Sequence, residues 1–161
     1  MMRIGLGIDA HIFTPVGEAD SFVLGGVEIP YDRGVIAHSD GDVLLHALMD
    51  AILGALGLED IGHQFPDSDP RYQNANSKDM TRGVVAMMQR EGYSLVNVDA
   101  TLLLEAPKMK PHRQAMIASV AEVLACKTSQ VSIKATTVEK MGAIGRGEGL
   151  AAQVVVLLQA I

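Results

Sequence analysis

Residues 3–12 read Arg-Ile-Gly-Leu-Gly-Ile-Asp-Ala-His-Ile. Ile4, Leu6, Ile8, Ala10 and Ile12 fall on one side of an extended chain, and Arg3, Gly5, Gly7, Asp9 and His11 on the other. Strict alternation of this kind predicts a half-buried β-strand. Downstream, Pro15 and Gly17 mark a loop, and two short apolar pieces at 22–24 and 27–29 flank Gly25-Gly26, a hairpin signal. Residues 30–41 read as loop. Residues 42–58 are dense in apolar side chains and predict a buried helix whose few polar residues, Asp42, His46 and Asp50, recur every fourth position as one stripe. Residues 60–75 predict an ordered loop. A second helix is predicted over 77–91, with Ser77 as N-cap, Gly92 just past the end, and Met80, Val84, Met87 and Met88 on its apolar face.

A strand is predicted over 94–105, with Val96, Val98, Ala100, Leu102 and Leu104 on one side. Pro111 suits the first turn of a helix whose core face is Met116, Ile117, Val120, Val123 and Leu124. Strands near 131–138 and 149–159, joined by the glycine-rich stretch 142–149, close the chain. The expected fold is α/β with α+β character: a single domain over 1–161, one mixed sheet covered by helices on one face. The last strand is apolar on both faces, Leu150, Ala152, Val154, Val156 and Leu158 on one and Ala151, Val155 and Leu157 on the other. One face is expected on this chain's helices and the other against further copies, so a homo-oligomer is expected.

Composition excludes several classes of partner. At 161 residues, one domain with a sizeable core is expected. Thirteen Lys and Arg against nineteen Asp and Glu give a net charge of −6, which argues against nucleic acids and anionic membranes. Three Phe, three Tyr and no Trp leave little for base stacking. The lone Cys126 excludes an internal disulfide framework. No apolar run approaches the roughly 20 residues of a membrane-spanning helix, and the glycine-broken start is unlike a signal peptide. A soluble, cytoplasmic protein is expected.

Asp9 and His11, two apart on a strand, share a face, and His46 comes from the polar stripe of a greasy helix. One carboxylate and two imidazoles suit zinc, and three protein ligands leave a fourth position open. The alternative is an Asp–His pair at a strand end and a core histidine satisfied by Asp42 or Asp50. In His38-Ser39-Asp40-Gly41-Asp42, either Asp40 or Asp42 can cap the helix, and the same terminus with His38 and Ser39 can hold an anion. Thr136-Thr137-Val138-Glu139 offers oxygen ligands suited to Mg²⁺ shared with phosphates, or is a plain strand end. Dinucleotide and P-loop fingerprints are missing, and there is no nucleophile motif.

Taken in chain order, Asp9-Ala-His11, Gly25-Gly26-Val27, Ala37-His-Ser-Asp-Gly-Asp-Val43, His46-Ala47, Asp60-Ile-Gly62, Phe65-Pro-Asp-Ser-Asp69, Ala106-Pro-Lys-Met109, Lys134-Ala-Thr-Thr137, Glu139-Lys140 and Gly145-Arg-Gly-Glu-Gly149 form one pattern. The chain closely resembles the 2-C-methyl-D-erythritol 2,4-cyclodiphosphate synthase family of the non-mevalonate isoprenoid pathway, from Arg3 to about Leu158. That resemblance implies a homotrimer, its sheets packed together and its active sites between subunits. It implies a lyase that cyclises 4-diphosphocytidyl-2-C-methyl-D-erythritol 2-phosphate and releases CMP. Asp9, His11 and His46 would bind zinc and Glu139 a second ion, Mg²⁺ or Mn²⁺. His38 and Thr137 would be catalytic. His38 and Ser39 would hold the methylerythritol phosphate in a pocket with Phe65, Asp67 and Asp69. Ala106, Pro107, Lys108 and Met109 would recognise cytosine, Asp60 and Gly62 the ribose, and Thr136, Thr137 and Arg146 the phosphates. The chain departs from the family pattern at Ala143-Ile144, where an aromatic and a small residue are common, at Lys110 and at Val138. Two further readings stay open: a zinc hydrolase, and a non-enzymatic nucleotide- or metal-binding trimer.

Overall fold

A computed structural model describes residues 1–66, 68–72 and 75–161. The chain runs through β1 (Met2–Phe13), β2 (Ser21–Leu24), β3 (Val27–Pro30), β4 (Val35–Ile36), α1 (Val43–Leu56), α2 (Ile61–Gln64), α3 (Ser77–Arg90) and β5 (Tyr93–Leu103). It continues with α4 (Arg113–Val123), β6 (Val131–Thr136), α5 (Gly142–Gly145) and β7 (Gly149–Ala160). Five strands form one sheet in the order β4-β1-β7-β5-β6, and β2 and β3 pair separately as the hairpin expected around Gly25-Gly26. Only β5 and β6 are parallel; the other pairings in the sheet are antiparallel. The architecture is therefore α+β with a mixed sheet.

Two glycines of β1 set how the main helix sits. A Cβ at Gly5 would stand 1.8 Å from the Ala51 carbonyl oxygen, and one at Gly7 1.8 Å from that of Ala47. No side chain fits there, so α1 rests directly on the strand backbone. Every residue of α1 except Asp50 and Gly54 is buried, because β1, β7 and α3 all pack on it. Asp42 caps its N-terminus, its Oδ1 accepting from the Leu45 N–H at 3.0 Å. Gly57, at φ 74°, closes the other end in a left-handed cap, and the Leu58 N–H returns to the Leu53 carbonyl.

The alternation in β1 is real, but its apolar row is not the one under the helices. Ile4 is 72% exposed, Leu6 59%, Ile8 56% and Ile12 63%, whereas Gly5 and Gly7 lie beneath α1. Register continues this bare row into β7, where Ile4 faces Leu157 and Leu6 faces Val155. On the opposite, helix-covered face, Leu150, Ala152, Val154, Val156 and Leu158 join Val98, Ala100 and Leu102 of β5 and Ile133 of β6 in the core.

Several expected boundaries shift for local reasons. Asn76, not Ser77, caps α3, its side chain accepting from the Lys78 N–H. The stretch 60–75 contains α2, capped by Asp60, and a 3₁₀ turn at Pro70–Tyr72. A bulge between Leu95 and Asn97 swaps the face of β5, so Leu95 rather than Val96 joins Val98 in the core. Pro111 lies in a short 3₁₀ turn, Lys110–His112, that leads into α4. The expected core face of α4 is buried throughout.

Candidate active site

Because β1, β5 and β6 run in one direction and β7 against them, the C-terminal ends of three strands lie along one edge of the sheet. His11 pairs with Leu150, Leu103 with Ala151, and Thr136 with Leu103, so these positions form a row across that edge. The row carries Asp9 and His11 at one end and Thr136 and Thr137 at the other. Three strand spacings of about 4.8 Å put the ends roughly 14 Å apart.

At the β1 end, Asp9 Oδ2 lies 3.0 Å from His46 Nδ1 and 3.1 Å from His11 Nε2, and the two nitrogens are 3.4 Å apart. A tetrahedral zinc with bonds of about 2.1 Å holds its ligand atoms about 3.4 Å apart, so this near-equilateral set fits such an ion. Asp9, His11 and His46 are the one group of three or more His, Cys, Asp or Glu found so placed among the described residues. The expectation that Asp42 or Asp50 satisfies His46 does not hold. Asp42 is fully buried and accepts from the N–H groups of Gly25, Gly26 and Leu45, while Asp50 accepts from the Ile61 N–H.

Charge around the triad follows from this geometry. Burial raises the Asp9 pKa, but hydrogen bonds from His11 and His46 and their charges outweigh it and bring the value down to about 2. Burial disfavours the charged form of His46, yet the hydrogen bond to Asp9 and the charges of Asp9, Asp42 and Asp40 raise its pKa overall. Desolvation pushes the Asp42 carboxyl up, against three backbone N–H donors.

The triad opens into a cavity of about 200 Å³, lined also by His38, Ser39 and Phe65, by Gly62, which the resemblance assigned to the ribose, and by Ile61, Tyr72 and Met80, which sequence reasoning missed. Ile61, Tyr72 and Met80 read in sequence only as loop and helix; nothing local shows that they reach the triad. At the other end of the row, Pro107, Lys108, Met109, Thr136 and Thr137 line a second cavity of about 240 Å³ with Leu104, Glu105, Lys110 and Ala135. The Thr137 hydroxyl lies 3.4 Å from Glu139 Oε1. Glu139 and Lys140 both have positive φ, 53° and 60°, and Glu105 Oε1 braces their turn by accepting from the N–H groups of Val138 and Lys140. That brace is another residue the sequence did not single out.

Other expected residues lie apart. Asp60 is exposed, caps α2 and pairs with His63 at 2.9 Å. Asp69 sits in the turn before Tyr72, and Asp67 lies outside the described residues. Ala106 precedes Pro107 but is not among the lining residues of the second cavity. Arg146 is exposed, pairs with Glu148 at 2.6 Å and lines neither cavity. Ala143 and Ile144 border a third hollow with Ala10, His11 and Ile12.

Comparison with known proteins places the chain among relatives along its whole length. A 2-C-methyl-D-erythritol 2,4-cyclodiphosphate synthase of Marinobacter nauticus is 54% identical over 160 residues, 99% of each chain. An IspF structure from Plasmodium falciparum in complex with CDP superposes with a TM-score of 0.87 at 35% identity, covering 99% of this chain and 96% of that one. The bifunctional IspDF of Campylobacter jejuni superposes at 0.94 with 42% identity; this chain matches in full but spans 43% of that longer protein. The YgbB family profile matches residues 2–159, and with relatives of this identity along the whole length, the chain belongs to the YgbB family of cyclodiphosphate synthases.

Proposed function

We propose that the protein cyclises 4-diphosphocytidyl-2-C-methyl-D-erythritol 2-phosphate to the 2,4-cyclodiphosphate with release of CMP. The observation that carries this reading is the convergence of Asp9, His11 and His46 on one point in a cavity rimmed by His38 and Ser39, in a chain of this family. Zinc would sit among the three, and Mg²⁺ or Mn²⁺ would be held by Glu139. When bound, such ions supply positive charge against the diphosphate, which a chain of net charge −6 lacks.

The residues do the rest by holding the substrate folded. His38 and Ser39 take the methylerythritol phosphate, with Phe65, Asp67 and Asp69 around it and Asp60 and Gly62 toward the ribose. The backbone and side chains at Ala106, Pro107, Lys108 and Met109 take the cytosine. Thr136 and Thr137 donate hydroxyl hydrogens to phosphate oxygens, and Arg146 adds a cation. The 2-phosphate oxygen forms a bond to the β-phosphorus while the bond from that phosphorus to the CMP oxygen breaks. The attacking phosphate is already ionised, so no general base is needed, and positioning supplies much of the rate.

The two cavities lie at opposite ends of one sheet edge, too far apart to share one reacting phosphorus within a chain. A homotrimer that sets the triad of one copy beside the threonines of the next removes that difficulty, and the bare row of Ile4, Leu6 and Ile8 supplies a surface for it. The setting is a cytoplasmic one; no helix among the described residues is long and apolar enough to cross a membrane.

Incubating the protein with the cytidyl substrate in H₂¹⁸O tests the reading. Cyclic diphosphate and CMP free of ¹⁸O are expected. A linear product carrying ¹⁸O would mean a hydrolase, and tight CDP binding without turnover a non-enzymatic binder. Glu139→Gln is expected to abolish the Mg²⁺ or Mn²⁺ dependence with zinc content unchanged, read by activity titration and elemental analysis.

A further inference from the structure

β5 and β6 stay paired one step past their last residues, where the Leu104 N–H donates to the Thr136 carbonyl at 3.2 Å. Beyond that point the two chains part. One goes on through Glu105 to the segment 106–109, and the other enters the turn that carries Thr137 and Glu139. The half-buried Glu105 side chain joins them again. Its Oε1 accepts from the Val138 N–H at 3.0 Å and from the Lys140 N–H at 3.3 Å. Two N–H groups two residues apart that converge on one oxygen make a small anion-binding nest, and here the chain's own carboxylate fills it. Glu105 also lines the second cavity, beside Thr136 and Thr137.

The turn needs such a hold. Glu139 and Lys140, in succession, take left-handed backbone at φ 53° and 60°, which only a few per cent of non-glycine residues adopt. A second contact comes from α5. A Cβ at Gly145 would fall on the Lys140 carbonyl carbon, so the two backbones touch directly. The aim of Glu139 depends on this backbone. Its carboxylate is exposed, and its hydrogen-bond partner among the described residues is the Thr137 hydroxyl at 3.4 Å. Relaxing the turn to right-handed backbone would re-aim the Glu139 side chain and part it from Thr137. Carboxylate and hydroxyl are the oxygen donors that a hard divalent cation takes.

We propose that Glu105 is a positioning residue: it holds the Glu139–Lys140 turn in its left-handed form and so keeps Glu139 and Thr137 side by side, facing the second ion and the phosphates. The inference deepens the proposed function and rests on it for the ion, although the brace itself is a property of the metal-free protein. It also gives a reason for a carboxylate between the cytosine segment and the phosphate-facing threonines, where a bare negative charge would repel the substrate. The two N–H groups offset that charge.

Two readouts test it: amide hydrogen exchange by NMR on metal-free protein, and Mn²⁺ uptake in the presence of CDP, followed by electron paramagnetic resonance. The wild type is expected to protect the Val138 and Lys140 amides; exchange of both at the rate of an open peptide overturns the proposal without any variant. Glu105→Ala is expected to speed their exchange and raise the Mn²⁺ needed for half-saturation, each by about 10-fold. Zinc content and CMP affinity are expected to stay as they are, whereas a merely structural role would weaken CMP binding equally. Glu105→Gln, which keeps an acceptor oxygen in the same place, is expected to recover most of both losses. Gly145→Ala, pressing on Lys140 from α5, is expected to reproduce the Glu105→Ala signature with Glu105 intact. If Glu105→Ala leaves amide exchange and Mn²⁺ uptake unchanged, Glu105 has no positioning role. Protected amides in a wild type that takes up no Mn²⁺ with CDP would overturn the second-ion reading, and with it the purpose assigned to Glu105, while the brace itself stands.

Discussion

At the scale of single residues, the site is a contest between protons and a cation for the same three atoms. With its pKa near 2, Asp9 stays ionised across the pH range in which the protein works, whereas ligation needs a neutral His46. Because the His46 pKa is raised, its proton competes from a higher pH than for an ordinary histidine. Metal affinity is therefore expected to fall as pH drops through that raised pKa, while Asp9 adds no slope until far more acid conditions. Competition against a chromophoric chelator between pH 5 and 8 checks this; a flat profile there contradicts it. His46→Ala is expected to lower bound zinc from about one ion per chain to under about 0.1, with far-UV circular dichroism retained. Full zinc occupancy in that variant would remove His46 from the ligand set. The pair Asp9 and His11 was legible in the sequence because strand periodicity alone puts them on one face. The partners of His46 were not, since Ser77 reaches it from 31 residues away and no local pattern encodes that contact.

At the scale of elements, the contact between β1 and α1 decides where His46 stands relative to Asp9. Gly7→Ala would drive a methyl into the Ala47 carbonyl, where the nearest atoms are all backbone, and is expected to cost about 3 kcal/mol, the upper end for overpacking. Gly54→Ala, in the same helix with open space around it, is expected to gain up to about 1 kcal/mol. Urea titration of both separates close packing from helix propensity; a Gly7→Ala chain as stable as the parent, or a destabilised Gly54→Ala chain, would contradict the picture. Sequence alternation found β1 but not which face α1 covers, because hydrophobicity favours Ile4, Leu6 and Ile8 while sterics favour Gly5 and Gly7. Sterics decide it: a helix backbone can approach only the glycine row. Likewise the bulge at Val96 escaped a strict period of two, and Asn76 took the cap because the Ser77 hydroxyl is engaged by Asp40.

At the scale of the whole molecule, the acidic balance and the bare apolar sheet belong together. In the function proposed, a chain of net charge −6 would handle a phosphorylated nucleotide by holding cations, and the exposed Ile4, Leu6, Ile8 and Val155 would be covered by another copy. If the proposed trimer uses this row, Leu6→Lys is expected to give monomers in sedimentation velocity and to abolish turnover while the Asp9, His11 and His46 triad of each chain persists. An unchanged trimer would detach the row from assembly. The expectation of self-association rests on the two apolar faces of β7, whereas the distance between the two cavities is visible only in the folded sheet. The most direct measurement is a crystal structure with zinc and CDP, using anomalous scattering at the zinc edge. A zinc peak is expected about 2.0–2.2 Å from Asp9 Oδ2, His11 Nε2 and His46 Nδ1, with the cytosine beside Met109 of a neighbouring copy. Zinc bound elsewhere, or a nucleotide whose phosphates reach the triad of the same chain that holds its cytosine, would contradict it.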